Sequence, residues 1–123
     1  MNFETATDQE LEQALACLVY KCEGWELSKT GGSFHSCGID GSASYVQPIP
    51  KYCTDISATW PLMIEHGIEL SPCFNGWWFA GVVDSYTHDE EVLSYSGITT
   101  CENPLRAVVA CLIKVLESKH DRT

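Results

Sequence analysis

From Tyr52 to Leu105 the chain has no lysine and no arginine, although the same stretch holds eight carboxylates: Asp55, Glu65, Glu69, Asp84, Asp89, Glu90, Glu91 and Glu102. Over the whole chain, 17 acidic residues face seven basic ones, a formal charge of −10. Such a field repels phosphate and favours basic partners, so direct nucleic-acid binding is excluded as an expectation. No apolar run approaches the about 18 residues that a membrane span needs. The opening residues Met1 to Thr5 carry neither a basic nor an apolar leader, and the expected location is the cytoplasm in which the chain is made.

Several chemical signatures are also missing. The seven cysteines include no Cys-x-x-Cys pair, and an odd number without an export signal reads as free thiols in a reducing compartment. His35-x-Cys37, with Cys22 or Cys53, supplies one close ligand pair where zinc sites usually have two, so no metal is expected. No Gly-x-Ser-x-Gly elbow is present, and Gly31-Gly32 and Gly38-x-x-Gly41 lack the strand, helix and cation of a phosphate loop. Glu65 with Glu69 is the one carboxylate pair that suggests acid–base work, and two solvated carboxylates beside a short helix explain it better. The expectation is a protein with no catalytic residues and no cofactor.

What is present describes an architecture. Thr7-x-x-Glu10 has capping-box spacing, and Leu11, Leu15, Leu18, Val19 and Cys22 follow at helical intervals. Glu10, Glu12, Gln13 and Lys21 take the opposite face, and Gly24 is the natural stop. Residues 28–52 are broken by Gly31-Gly32, Gly38, Gly41 and Pro48-x-Pro50, and read as a long ordered loop or a weak hairpin. Thr54 or Asp55 caps a second helix through Ser57 to His66, with Gly67 closing it. Pro61 makes the turn before it irregular or is itself the first helical position.

Ile68 to Cys73 alternates as a strand, and Asn75-Gly76 is a hairpin turn. Trp77 to Val83 follows, apolar on both faces, which asks for a covering layer on each side. Asp84 to Glu91 reads as a polar turn and Val92 to Ile98 as a third strand. Asn103-Pro104 opens the last helix, with an apolar stripe of Leu105, Val108, Val109, Leu112, Val115 and Leu116. Arg106, Lys114, Glu117 and Lys119 lie away from that stripe, and His120 to Thr123 fray. The expected fold is α+β in one domain over residues 1–123: a small three-stranded antiparallel meander sandwiched between helices, α/β/α.

From about Ala14 to Lys119 the pattern resembles the phage ABA sandwich domain, a family of small phage proteins that includes the NinX-like proteins. The residues carrying it are Cys22-Glu23-Gly24, Thr54-Asp55, Trp60, Pro61 to Glu65 leading to Ile68, Trp77-Trp78, and Thr100 to Ala107. Trp60 directly before Pro61 and the segment from Ser28 to Lys51 are this chain's own. The resemblance implies a phage or prophage source, an accessory role and a place in the host cytoplasm, and it brings no activity with it.

Three functional readings follow. In the first, the protein binds a host protein with a basic surface, as an anti-defence inhibitor of the anti-CRISPR kind does. Its contact residues are Asp84, Asp89, Glu90 and Glu91 with Glu65 and Glu69, since carboxylates on alternate strand residues are spaced about as successive phosphates are, ~6.6 Å. Trp78, from the cluster Phe74, Trp77, Trp78 and Phe79, serves as anchor in this reading and as core in the plainer one. In the second, a small ligand or substrate occupies a pocket under the 28–52 loop, lined by His35, Cys37 and Tyr45. In the third, an edge strand pairs across a homodimer axis.

Overall fold

A computed structural model describes residues 2–37, 44–87 and 92–121. Its elements are α1 (Asp8–Tyr20), β1 (Glu26–Leu27), β2 (Ser33–Cys37), β3 (Ser44–Pro48), α2 (Ile56–His66), β4 (Ile68–Pro72), β5 (Trp78–Thr87), β6 (Val92–Cys101) and α3 (Pro104–Asp121). The described residues form three helices and two three-stranded antiparallel sheets, β1-β2-β3 and β4-β5-β6, an α+β fold.

Each helix starts where a side chain satisfies backbone donors that the helix cannot. Thr7 and Glu10 form the reciprocal capping box of α1, and Asp55 accepts from the Ser57 N–H at the head of α2. Asn103 Oδ1 accepts from the N–H groups of Leu105 and Arg106 at 3.0 and 3.3 Å, with Pro104 as the first helical residue of α3. The left-handed cap of α1 falls on Lys21 and comes before Gly24, while Gly67 closes α2 as its position predicts.

Helix α2 begins at Ile56 and runs through Pro61, so Pro61 is not its first position. The bond it removes is the one to the Ser57 carbonyl, a loss of about 3 kcal/mol in a helix interior. Pro61 is on the exposed side, where water can serve that carbonyl, and the buried Thr59 and Met63 hold the other side in the core.

Of the two readings of residues 28–52, the described residues form the hairpin. Their strands β2 and β3 pair from Ser33↔Pro48 to Cys37↔Ser44, and β1 adds a short edge. The polar face of α1 holds this unit down: the Gln9 and Gln13 amides donate to the carbonyls of Thr30 and Gly31 at 2.9 and 3.0 Å. Glu12 differs from its expected exposed position. It is buried, and its carboxylate accepts the Cys53 N–H at 3.2 Å, a donor otherwise left unpaired ahead of α2.

In the second sheet the Asn75-Gly76 turn has positive φ at both residues, as a two-residue hairpin requires. The strands are longer than their alternation suggested. Strand β5 reaches Thr87 through a register shift between Val83 and Ser85, so Asp84 belongs to a strand and not to a turn. A second shift places an extra residue of β6 at Gly97–Ile98.

Helix α3 packs on this sheet with one side and on α1 and α2 with the others. From Ala107 to Ile113 no residue is more than 5% exposed, so two turns have no outer face. Gly97, with φ +65°, is where the sheet comes closest: a Cβ there would lie 2.9 Å from Val115 Cγ2 and 3.5 Å from Cys111 Sγ. The Thr99 hydroxyl donates to the Ala107 carbonyl at 2.6 Å, fixing the first turn of α3 to β6. Arg106 and Lys114 turn inward, off the stripe but not into solvent. Arg106 donates to Asp8 at 2.6 Å and to the Phe3 and Ala6 carbonyls, tying the N-terminal segment to both helices.

Two predictions follow from this packing. Gly97→Ala combines left-handed strain with overpacking and lowers stability by about 2–4 kcal/mol in urea melts. Gly24→Ala, at φ +85° with open space around it, costs only the strain, about 1–2 kcal/mol; equal losses at the two sites would refute the close approach.

The second concerns buried thiols. Burial, then the neighbouring Asp8 and Glu12, push the Cys53 thiol from the usual 9.0 up to about 12, and burial pushes Cys111 up to about 11. The folded state keeps these protons while the unfolded chain releases them near pH 9.0. Stability is therefore full below that pH and falls as pH rises toward the folded values, by about 1.4 kcal/mol per pH unit for each thiol. Unchanged urea midpoints across that window would contradict this. Exposed Cys73 should react with a thiol reagent in the native state, and Cys53 and Cys111 only on unfolding.

Candidate functional site

The residues proposed for an acidic docking surface lie on several elements. Asp84 lies in β5, and Asp89, Glu90 and Glu91 fall outside the described residues. Glu65 is exposed on the last turn of α2, with its carboxylate 4.0 Å from the His66 ring. Glu69 lies on β4 opposite Gly81 of β5. The Phe79 and Tyr95 rings meet edge to face at 5.1 Å beside this glycine, and the Tyr95 hydroxyl donates to Glu69. That bond is the first cause raising the tyrosine above its ordinary pKa. Glu65 and Glu69 thus have different neighbours, and nothing in their surroundings makes them an acid–base pair.

Trp78 is half-buried on the strand face that carries the fully buried Ala80. Among the described residues two indoles are exposed, Trp77 ahead of β5 and, more fully, Trp60 on α2. Here the structure presents a surface that residue-by-residue inspection missed. Ile56, Trp60 and Ile64 are 58%, 53% and 66% exposed, and they stand four residues apart in one row. The next row is Ser57, Pro61 and Glu65, also exposed, while Ala58, Thr59, Leu62 and Met63 pack inward. The ridge spans eight residue steps, about 12 Å along the helix. Asp55 and Glu65 stand at its two ends, inside the segment that has no cation. The signal was present as spacing: apolar residues occur on both sides of this helix, a pattern that reads first as complete burial.

The pocket expected under residues 28–52 does not form from its three named residues. Register pairs His35 with Val46 and Ser36 with Tyr45, so His35 and Tyr45 lie on opposite faces of the hairpin. His35 Nε2 is instead 3.0 Å from its near neighbour Ser33 Oγ. Among the described residues no three His, Cys, Asp or Glu side chains converge to hold a metal ion, and no helix is long and apolar enough to cross a membrane.

A cleft of about 790 Å³ opens elsewhere, between the N-terminal segment, β6 and α3. Its walls include Phe3, Trp77, Ile98, Ala107, Ala110 and Lys114. Lys114 Nζ donates to the Ile98 carbonyl at 2.8 Å, at the bulge of β6, and sits 5.3 Å from the centre of the Phe3 ring.

The ridge and the cleft are what geometry offers, because the chain has no match among protein-family models, curated proteins or solved structures.

Proposed function

We propose that this protein acts by binding another protein, without catalysis, and that its docking surface is the α2 ridge of Ile56, Trp60 and Ile64. The observation that carries this reading is three large apolar side chains in one exposed row, with carboxylates at both ends. A helix that shows an i, i+4, i+8 apolar row to solvent suits a groove on a partner, and tryptophan is the side chain most enriched where binding energy concentrates.

Charge defines the partner. With no lysine or arginine from Tyr52 to Leu105, the matching groove is rimmed by lysine or arginine. A second copy of this chain, itself at −10, meets the ridge with like charge, which favours a different protein over a homodimer. The resemblance to phage ABA sandwich proteins supports a phage or prophage source and a host target in the host cytoplasm. Host proteins that handle nucleic acid are basic, so inhibition of a defence nuclease complex, in the anti-CRISPR manner, is the specific form of this proposal. In it Glu65 stays a contact residue and Trp60 replaces Trp78 as anchor.

Affinity capture from a bacterial host lysate, with wild-type protein and surface variants side by side, tests it. Trp60→Ala should weaken capture of the retained partner by about 30-fold or more while leaving the melting temperature nearly unchanged. Glu65→Lys should weaken it less, and high salt should release the partner. A partner held equally by wild type and Trp60→Ala would exclude the ridge.

A further inference from the structure

We propose that the cleft between the N-terminal segment, β6 and α3 binds a small amphipathic carboxylate, whose anionic end pairs with Lys114 and whose apolar body lies against Ile98, Trp77 and Ala110. No residue of α2 lines this cleft, so the site is separate from the docking ridge.

Its volume, about 790 Å³, lies within the range of small-molecule sites, and its walls are amphipathic: Phe3, Trp77, Ile98 and Ala110 supply apolar surface, and Glu4, Thr100, Arg106 and Lys114 polar surface. The apolar walls are unsatisfied in a specific way. Trp77 and Ile98 are 41% and 48% exposed although both border a concavity, and the α3 side of the cleft is kept low by Ala107 and Ala110. A ligand body there removes two large apolar side chains from water at once.

The charge in the cleft is equally specific. Two cations line it, and Arg106 is already engaged by Asp8 and by the carbonyls of Phe3 and Ala6. Lys114 is not neutralised: its recorded partners are a carbonyl oxygen and an aromatic ring, and among the described residues no carboxylate lies within 4.0 Å of it. An ammonium has three donors, and the Ile98 carbonyl takes one. In a chain with 17 acidic residues, a half-buried lysine without an acidic partner is the place where an anion gains most. Glu4, exposed on the N-terminal side, puts one carboxylate at the cleft wall, and with the net charge it disfavours di- and trianions such as phosphate esters. A single carboxylate on a hydrocarbon or aromatic body is the class that fits both halves.

Calorimetric titration of the wild-type protein with octanoate and with octanamide separates charge recognition from simple apolar binding. Octanoate should bind saturably and at least about tenfold more tightly than octanamide, the size of one charge-assisted hydrogen bond. Lys114→Arg should keep this preference, Lys114→Met should abolish it, and Trp77→Ser should weaken both ligands alike. Equal affinity for the two ligands overturns the proposal, as does absence of saturable octanoate binding. Full octanoate affinity in Lys114→Met does the same. The wild-type comparison alone decides the matter if a variant fails to fold.

Discussion

The burial of α3 on every side is the constraint from which the rest of this structure follows. Two turns of helix with no exposed residue need neighbours in all directions, and the chain supplies a sheet on one side and α1 and α2 on the others. Each Val, Leu or Ile so buried contributes about 1.5–3 kcal/mol, far more than the few tenths lost by placing Val108 and Val109 side by side in a helix. Close approach sets the details. Gly97 admits Val115 and Cys111, the Gly97–Ile98 bulge reshapes β6 beneath them, and Thr99 fixes the start of α3 to the strand.

The same packing distributes charge and apolar surface in a way that bears on function. Arg106 and Lys114, the first two cations after the long acidic stretch, both turn toward the N-terminal segment: Arg106 meets Asp8 and two carbonyls there, and Lys114 the Ile98 carbonyl and the Phe3 ring. Neither of these two cations pairs with a carboxylate of the stretch. Helix α2 meets α3 and β4 with one side and keeps Ile56, Trp60 and Ile64 outside. An apolar ridge thus occurs in the segment that has no lysine or arginine, and the proposed partner is read from that coincidence.

Much of the local structure was legible because its signals act over three or four residues. Thr7 with Glu10, Asp55, Asn103-Pro104 and Asn75-Gly76 each satisfy or redirect backbone groups beside them, and each begins or turns an element where expected. Gly67 closes α2 for the same reason. The candidate site was less legible. Asp84 read as a turn residue because a polar residue after an apolar run looks like a strand end, yet a bulge carries β5 through it. Trp78 was read as an anchor from the enrichment of tryptophan at binding sites; it is half-buried beside Ala80, and Trp60 on α2 is the more exposed indole.

The amino-acid order alone settled the α+β class, the starts of the helices, the meander and its hairpin turn, and an acidic stretch without lysine or arginine from Tyr52 to Leu105. Only the assembled structure decided which faces are buried: that Glu12 turns inward to the Cys53 amide, that the segment before the β2–β3 hairpin is tied to α1, and that α2 shows an apolar row to solvent. The reason is physical. A cap or a turn is completed by neighbours in sequence, whereas burial depends on which distant element arrives to exclude water, and a helix apolar on two sides does not say which side that will be.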